Sequence, residues 1–155
     1  MSEASATTRS DQMHISIRPI PTRVLTGSLH PAGSEMLAKI STKVEFPPNH
    51  LIFRANEEPA AMWMVTHGRA CISFPDTEDA GTIICGRGIF GLTETIAGIP
   101  YQESLFTDSY CTCTRVDRDS LIELLQNEHD ASWTLLRVLS RNYLKSVRRL
   151  ASDAP

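Results

Sequence analysis

The sequence lacks most of the features that mark specialised proteins. No apolar run approaches the about 18 residues of a membrane-spanning helix. The first dozen residues, Met1 to Gln12, are small and polar, without the basic-then-apolar layout of a secretory leader. Cysteine is scarce, and Cys71, Cys85, Cys111 and Cys113 include no Cys-x-x-Cys pair and no thiol near a histidine at zinc-finger spacing. A disulfide scaffold and a structural zinc site are therefore excluded. No P-loop, His-Glu-x-x-His, Ser/His/Asp order or paired-carboxylate motif stands out, so neither catalysis nor a metal site is expected. The net charge of −3 argues against a surface built throughout for nucleic acid. What is left is a soluble, cytoplasmic, non-enzymatic protein without membrane association. Its 155 residues favour one domain able to bury its own core.

Charge is present but unevenly placed. Residues 1–130 hold 10 Lys/Arg against 17 Asp/Glu, a net of −7. Residues 131–150 hold Arg137, Arg141, Lys145, Arg148 and Arg149 and no acid. Arg137, Arg141, Lys145 and Arg148 or Arg149 recur every three to four residues, which puts them on one helix face. Such a face is most simply solvated; docking onto an acidic partner or onto the protein's own acidic body is the main alternative, and nucleic acid the last.

The texture of the chain changes twice. Residues 1–27 read as a disordered or irregular segment. Ser28 to Ile40, with Leu29, Met36, Leu37 and Ile40, predicts a short amphipathic helix that Ser28 can cap. From Thr42 to Val116, short apolar runs are broken by Gly, Pro, Asn and Asp. They predict about eight strands, near 43–46, 50–54, 61–66, 69–74, 81–85, 88–91, 102–107 and 110–116. Strands without intervening helices imply a sandwich, jelly roll or barrel. Met62, Trp63 and Met64 share one of them and read as core residues, and Cys111 and Cys113 lie on one face of another, as small packing groups or as a redox pair. After Val116 the period becomes helical. Asp117 is placed to cap a helix with Leu121, Ile122, Leu124 and Leu125, and Asp130 to cap a longer one reaching Leu150. On the long helix Leu136, Tyr143, Val147 and Leu150 form a near-heptad seam around Ser140, widened by Trp133, Leu135 and Leu139. A homodimer is expected, because so apolar a helix needs a partner. The division is a strand-rich unit over 28–127, a dimerisation helix over 128–150 and a tail over 151–155.

Two stretches carry a resemblance. Phe46 to Gly68, with its acidic turn at Glu57-Glu58 and a closing glycine, resembles the opening of a cyclic-nucleotide-binding domain. Gly86-Arg-Gly-Ile-Phe-Gly91 is similar to the glycine-rich entry of that family's phosphate-binding cassette. The helices after Asp117 and Asp130 complete a pattern over residues 28–150 like the regulatory domain of the CRP/FNR superfamily, the catabolite-activator type. The resemblance implies an α+β, mainly β fold: a double-stranded β-roll (jelly roll) with an N-terminal helix and two C-terminal helices. It implies a small-molecule effector, cAMP or cGMP, held by a glycine turn, a carboxylate for the ribose and an arginine for the phosphate.

Carried onto this chain, Gly91 keeps the glycine position. The carboxylate position falls on Leu92, and the arginine position on Tyr101, or on Gln102 if the loop shifts by one. The candidate pocket is then Gly91, Leu92, Thr93, Glu94, Tyr101 and Gln102. Ser146 on the long helix falls where relatives present a hydroxyl to the purine. With both charged ligands replaced, ordinary cyclic-nucleotide binding is not expected, since a lost charge-assisted bond costs about 1.5–3 kcal/mol. Glu94 standing in for the carboxylate and Arg87 for the arginine is the rescue that stays open. Iron–sulfur relatives need cysteines near the N-terminus, and residues 1–70 have none. A haem would find only His67 and Cys71, and His67 reads as a surface turn residue. Only Ala151 to Pro155 follow the last helix, so direct sequence-specific DNA binding is not expected and a protein partner is. The expected function is a sensor or regulatory module with a degenerate cassette. Its alternatives are a conventional receptor and a ligand-free structural scaffold.

Overall fold

A computed structural model describes residues 31–75 and 83–154. The expected N-terminal segment and the cap at Ser28 lie outside the described residues, as does the start of the strand expected at 81–85. Within them the order is α1 (Pro31–Lys39), β1 (Ser41–Phe46), β2 (Leu51–Phe53), β3 (Ala61–Ser73), β4 (Ile83–Phe90), α2 (Leu92–Ala97), β5 (Ser104–Thr107), β6 (Cys111–Asp117), α3 (Arg118–Asn127) and α4 (His129–Ser152). The strands form one curled antiparallel sheet in the order β1-β6-β3-β5-β2, with β4 beside β3. Mainly β with helices packed on it, this is the expected fold class.

β3 organises the roll. One edge pairs with β4. The other pairs with β6 through Ala61 to His67 and then with β5 through Ala70 to Ser73. Because side chains alternate along a strand, β3 buries two different faces. Met62 and Met64 face Leu37, Ile89, Leu92, Val116, Leu121, Leu135 and Val138 on the helix side. Trp63 and Val65 face Phe53, Phe90, Tyr101, Leu105, Cys111 and Cys113 inside the roll. The core role expected of Met62, Trp63 and Met64 holds, divided between the two layers.

Six strands stand among the described residues where eight are expected, and glycine explains the difference. The segments 61–66 and 69–74 are one strand, β3, with register shifts between Val65 and Ala70. Gly68 has φ +87°, and a Cβ there would sit 2.2 Å from the Tyr110 carbonyl oxygen. His67-Gly68 is thus a bulge that bends the strand, not a turn that ends it. The segment 88–91 likewise joins the preceding run as β4, across Gly86 at φ +69°.

Two caps also differ from expectation. Asp117 occupies the N-cap of α3 but makes no capping bond. Its carboxylate pairs with Arg115 at 2.9 Å instead. Asp130 lies inside the first turn of α4, whose N-cap is Glu128, and the helix runs on to Ser152. There Asp130 complements the positive helix end without capping it. The Ser132 hydroxyl donates to the Leu125 carbonyl and ties α4 back to α3.

α4 has two unlike halves. Ala131, Leu135 and Val138 are buried against the roll. From Ser140 onward every residue is exposed except half-buried Asn142. Leu136 is 54% exposed and Tyr143 69%, with Trp133, Leu144, Val147 and Leu150 exposed beside them. Among the described residues no helix is long and apolar enough to cross a membrane.

Candidate functional site

The cassette begins where β4 ends. Gly91 turns the chain at φ +70° into α2, six residues long, and Gly98 closes the helix. A Cβ on Gly91 would lie 2.7 Å from Tyr101 Cε1, so the turn and the tyrosine need each other's shape. Inside the turn, the Thr95 amide and hydroxyl both donate to the Gly91 carbonyl, at 3.0 and 2.6 Å. At the far end, Arg118 Nε donates to the Thr95 carbonyl at 2.9 Å, and its guanidinium lies against Gly98. The Arg118 amide donates to the Ala60 carbonyl at 2.9 Å. The first residue of α3 thus satisfies one of the orphan carbonyls that end α2.

Tyr101 fills the roll side of this turn. It is 3% exposed and stacks on Phe53 with ring centroids 3.9 Å apart. Its hydroxyl donates to the Ala61 carbonyl at 2.5 Å and accepts from the Ala61 amide at 3.2 Å. Burial pushes its phenol pKa up, and the neighbouring Glu94 charge adds to that. The backbones of Asn56 and Glu57 hold it from the other side, through Asn56 N to Tyr101 O at 2.8 Å and Tyr101 N to Glu57 O at 3.0 Å.

The other candidates separate by layer. Leu92 is 3% exposed and belongs to the helix-side core, where it borders an apolar cavity of about 20 Å³ with Leu37, Met62, Leu121 and Leu135. Thr93 is exposed and reaches Glu94 Oε2 at 3.3 Å. Glu94 is 7% exposed. Gln102 is exposed and folds back onto the Pro100 carbonyl at 2.8 Å. Arg87 is exposed on β4. Ser146 is exposed on the outer half of α4 and bonds the Asn142 carbonyl at 3.1 Å within its own helix. The fold therefore gathers Gly91, Leu92, Thr93, Glu94 and Tyr101 around one turn and leaves Gln102 and Ser146 directed elsewhere.

One acidic neighbour was not singled out from sequence. Burial, and then the Glu94 charge, raise the Glu103 carboxyl to about 7. Among the described residues no lysine or arginine makes an ion pair with Glu94 or Glu103. The chain thus brings two carboxyl groups and a phenol close together beside the Gly91 turn. The helix α2 was missed as well; Glu94 in its first turn and Gly98 at its end were its signals, but six residues are too few for a periodic pattern.

The remaining candidates are quickly placed. Cys71, Cys111 and Cys113 are free and buried, as packing residues in the sheet would be. Burial raises all three thiols, Cys113 to about 12. His67 is exposed at the bulge of β3, as a surface residue. Among the described residues no group of three or more His, Cys, Asp or Glu could hold a metal ion.

Comparison with known proteins agrees with this geometry. Residues 43–128 match the cyclic nucleotide-binding domain family. The fold superposes on the catabolite activator protein of Thermus thermophilus with a TM-score of 0.70, at 15% identity, over 83% of this chain and 62% of that one. It also superposes on the N-terminal domain of a Streptomyces coelicolor transcriptional regulator, with a TM-score of 0.67, 16% identity and coverage of 79% and 90%. A third match is the sensor domain of the transcriptional regulator DNR from Pseudomonas aeruginosa, with a TM-score of 0.63, 18% identity and coverage of 81% and 86%. The chain spans less than two thirds of the length of some of the regulators it matches, 62% for the Thermus protein. No match is found among curated proteins. The chain belongs to the cyclic nucleotide-binding domain family, with the fold of the regulatory domains of the CRP/FNR superfamily.

Proposed function

We propose that this protein is a dimeric sensor or regulatory module of the CRP/FNR type whose cassette does not hold a cyclic nucleotide in the family's usual way, and which acts through a protein partner. The observation that carries the reading is Tyr101. An aromatic ring stacked on Phe53 and bonded twice to Ala61 stands at the turn where a phosphate-binding cassette needs room and an arginine. Glu94 and Glu103 add to it, because neither acidic side chain offers a cyclic phosphate the cation it needs. The rescue by Glu94 and Arg87 gains no support: Glu94 shares the cassette with a second carboxylate, and Arg87 is exposed on β4. The filled roll interior also suits a second reading, a scaffold that binds no small molecule.

Dimerisation is supported by the outer half of α4. Trp133, Ser140 and Val147 alternate with Leu136, Tyr143 and Leu150 at the three-and-four spacing of a coiled-coil seam. Five of these six are large apolar residues left exposed by the chain's own fold.

Thermal unfolding with and without millimolar cAMP or cGMP tests the cassette. A ligand at one hundred times its dissociation constant adds about 2.7 kcal/mol, a shift of several degrees for a domain of this size. No shift is expected; a saturable one overturns the reading. Light scattering tests the seam: the protein should have the mass of a dimer, and Tyr143→Glu that of a monomer.

A further inference from the structure

The outer half of α4 carries a second stripe that the seam leaves outside. At about 100° per residue, Arg137, Arg141, Lys145 and Arg148 fall within about 80° of one another, on the sector next to the seam. All four are exposed. Among the described residues none of them makes an ion pair. From Ala131 to Ser152 the helix has no acidic residue to answer them. The stripe is about 16 Å long, and its four-, four- and three-residue steps match the rise of one helix alongside another. Exposed Leu144 lies between the stripe and the seam. The surface is thus basic with an apolar border.

We propose that this face of α4 docks an acidic amphipathic helix of a partner protein. Carboxylates every three to four residues on such a helix would meet the cations in register, three of them arginines able to take a carboxylate bidentately. Leu144 would take an apolar side chain of the partner, a contact that a phosphodiester backbone cannot use. The rest of the chain opposes nucleic acid, since residues 1–130 carry a net −7 that repels a long polyanion. A short acidic helix laid along α4 from Arg137 to Arg148 sets far fewer charges against that body. The inference refines the partner named in the proposed function and needs the seam only to leave the stripe outward.

The experiment titrates the full chain into three labelled probes. One is a short helical peptide with glutamates on one face and leucines beside them; another is a shuffled peptide of the same composition; the last is a short DNA duplex. Light scattering on the same samples reports the oligomeric state. The patterned peptide should bind best, weaken as salt rises and lose at least about tenfold in affinity with Arg137→Glu/Arg141→Glu/Lys145→Glu. The dimer mass and melting temperature of that variant should not change. Equal affinity for the shuffled peptide, indifference to the charge reversal, absence of peptide binding or preference for DNA overturns the docking proposal. A monomeric wild type overturns the dimeric reading instead, so the two failures are distinct.

Discussion

β3 is buried on both faces, yet the two sides are built differently. Inside the roll, Trp63 and Val65 meet aromatic rings, and Tyr101 locks the layer with a stack and a pair of hydrogen bonds. On the helix side, Met62 and Met64 meet aliphatic chains from α1, α2, α3 and α4, and a cavity of about 20 Å³ remains between them. The aromatic layer has one way to pack, because a hydrogen-bonded ring has a single good orientation. The aliphatic layer, with flexible methionines and a small cavity, is less narrowly specified. The less tightly specified layer is the one the helices touch.

Restoring the family's ligand pattern should break this arrangement most severely. Leu92→Glu with Tyr101→Arg sets one charge in the aliphatic layer and another against the Phe53 ring. The double variant should lose several kcal/mol and melt far below wild type in circular dichroism, without gaining affinity for cAMP. Binding at an undisturbed melting temperature would show that the cassette is open after all.

Single truncations compare the layers directly. Met62→Ala removes a fully buried side chain that already borders a void, and should cost about 2–4 kcal/mol by urea unfolding. Tyr101→Phe keeps the ring but strips the Ala61 backbone of its partner, and should cost about 1–3 kcal/mol. A cost near zero for Tyr101→Phe would mean that the ring alone seals the roll.

The smallest expected effect is a pH dependence. The Glu103 carboxyl titrates near 7 in the folded chain and near its ordinary 4.5 when unfolded, so the folded state holds the extra proton between those values. Its contribution is fully present below about pH 4.5 and is lost as pH rises through 7. Stability should therefore fall by about 1 kcal/mol across that window, less than the full shift implies because the residue is only partly buried. Glu103→Gln should flatten that part of the profile. An unchanged slope would remove Glu103 as its source.

Much of the fold was legible in the sequence because it rests on composition and period. Short runs between breakers gave the strands, and the switch at Asp117 gave α3 and α4. The strand count failed at Gly68 and Gly86 for one physical reason: glycine serves equally in turns and bulges, and only the pairing of β3 with β4, β5 and β6 distinguishes them. The turn at Gly91 was legible as a turn, but the way its neighbours face was not. Leu92 and Tyr101 lie nine positions apart in the chain and face different layers, and no spacing shows that one supports the helices while the other plugs the roll. Glu103 escaped notice because its raised pKa comes from burial and from Glu94, neither of which the chain order displays.

Arg118 has a consequence for how the molecule comes apart. Its backbone holds Ala60, next to the residue that bonds Tyr101, and its side chain holds the last turn of α2. The cassette turn therefore cannot fray while α3 stays docked, nor can α3 lift while the cassette keeps its shape. In amide hydrogen exchange, Thr95, Gly98 and Arg118 should share one opening free energy, a cooperative unit that spans the joint between the roll and its helical arm.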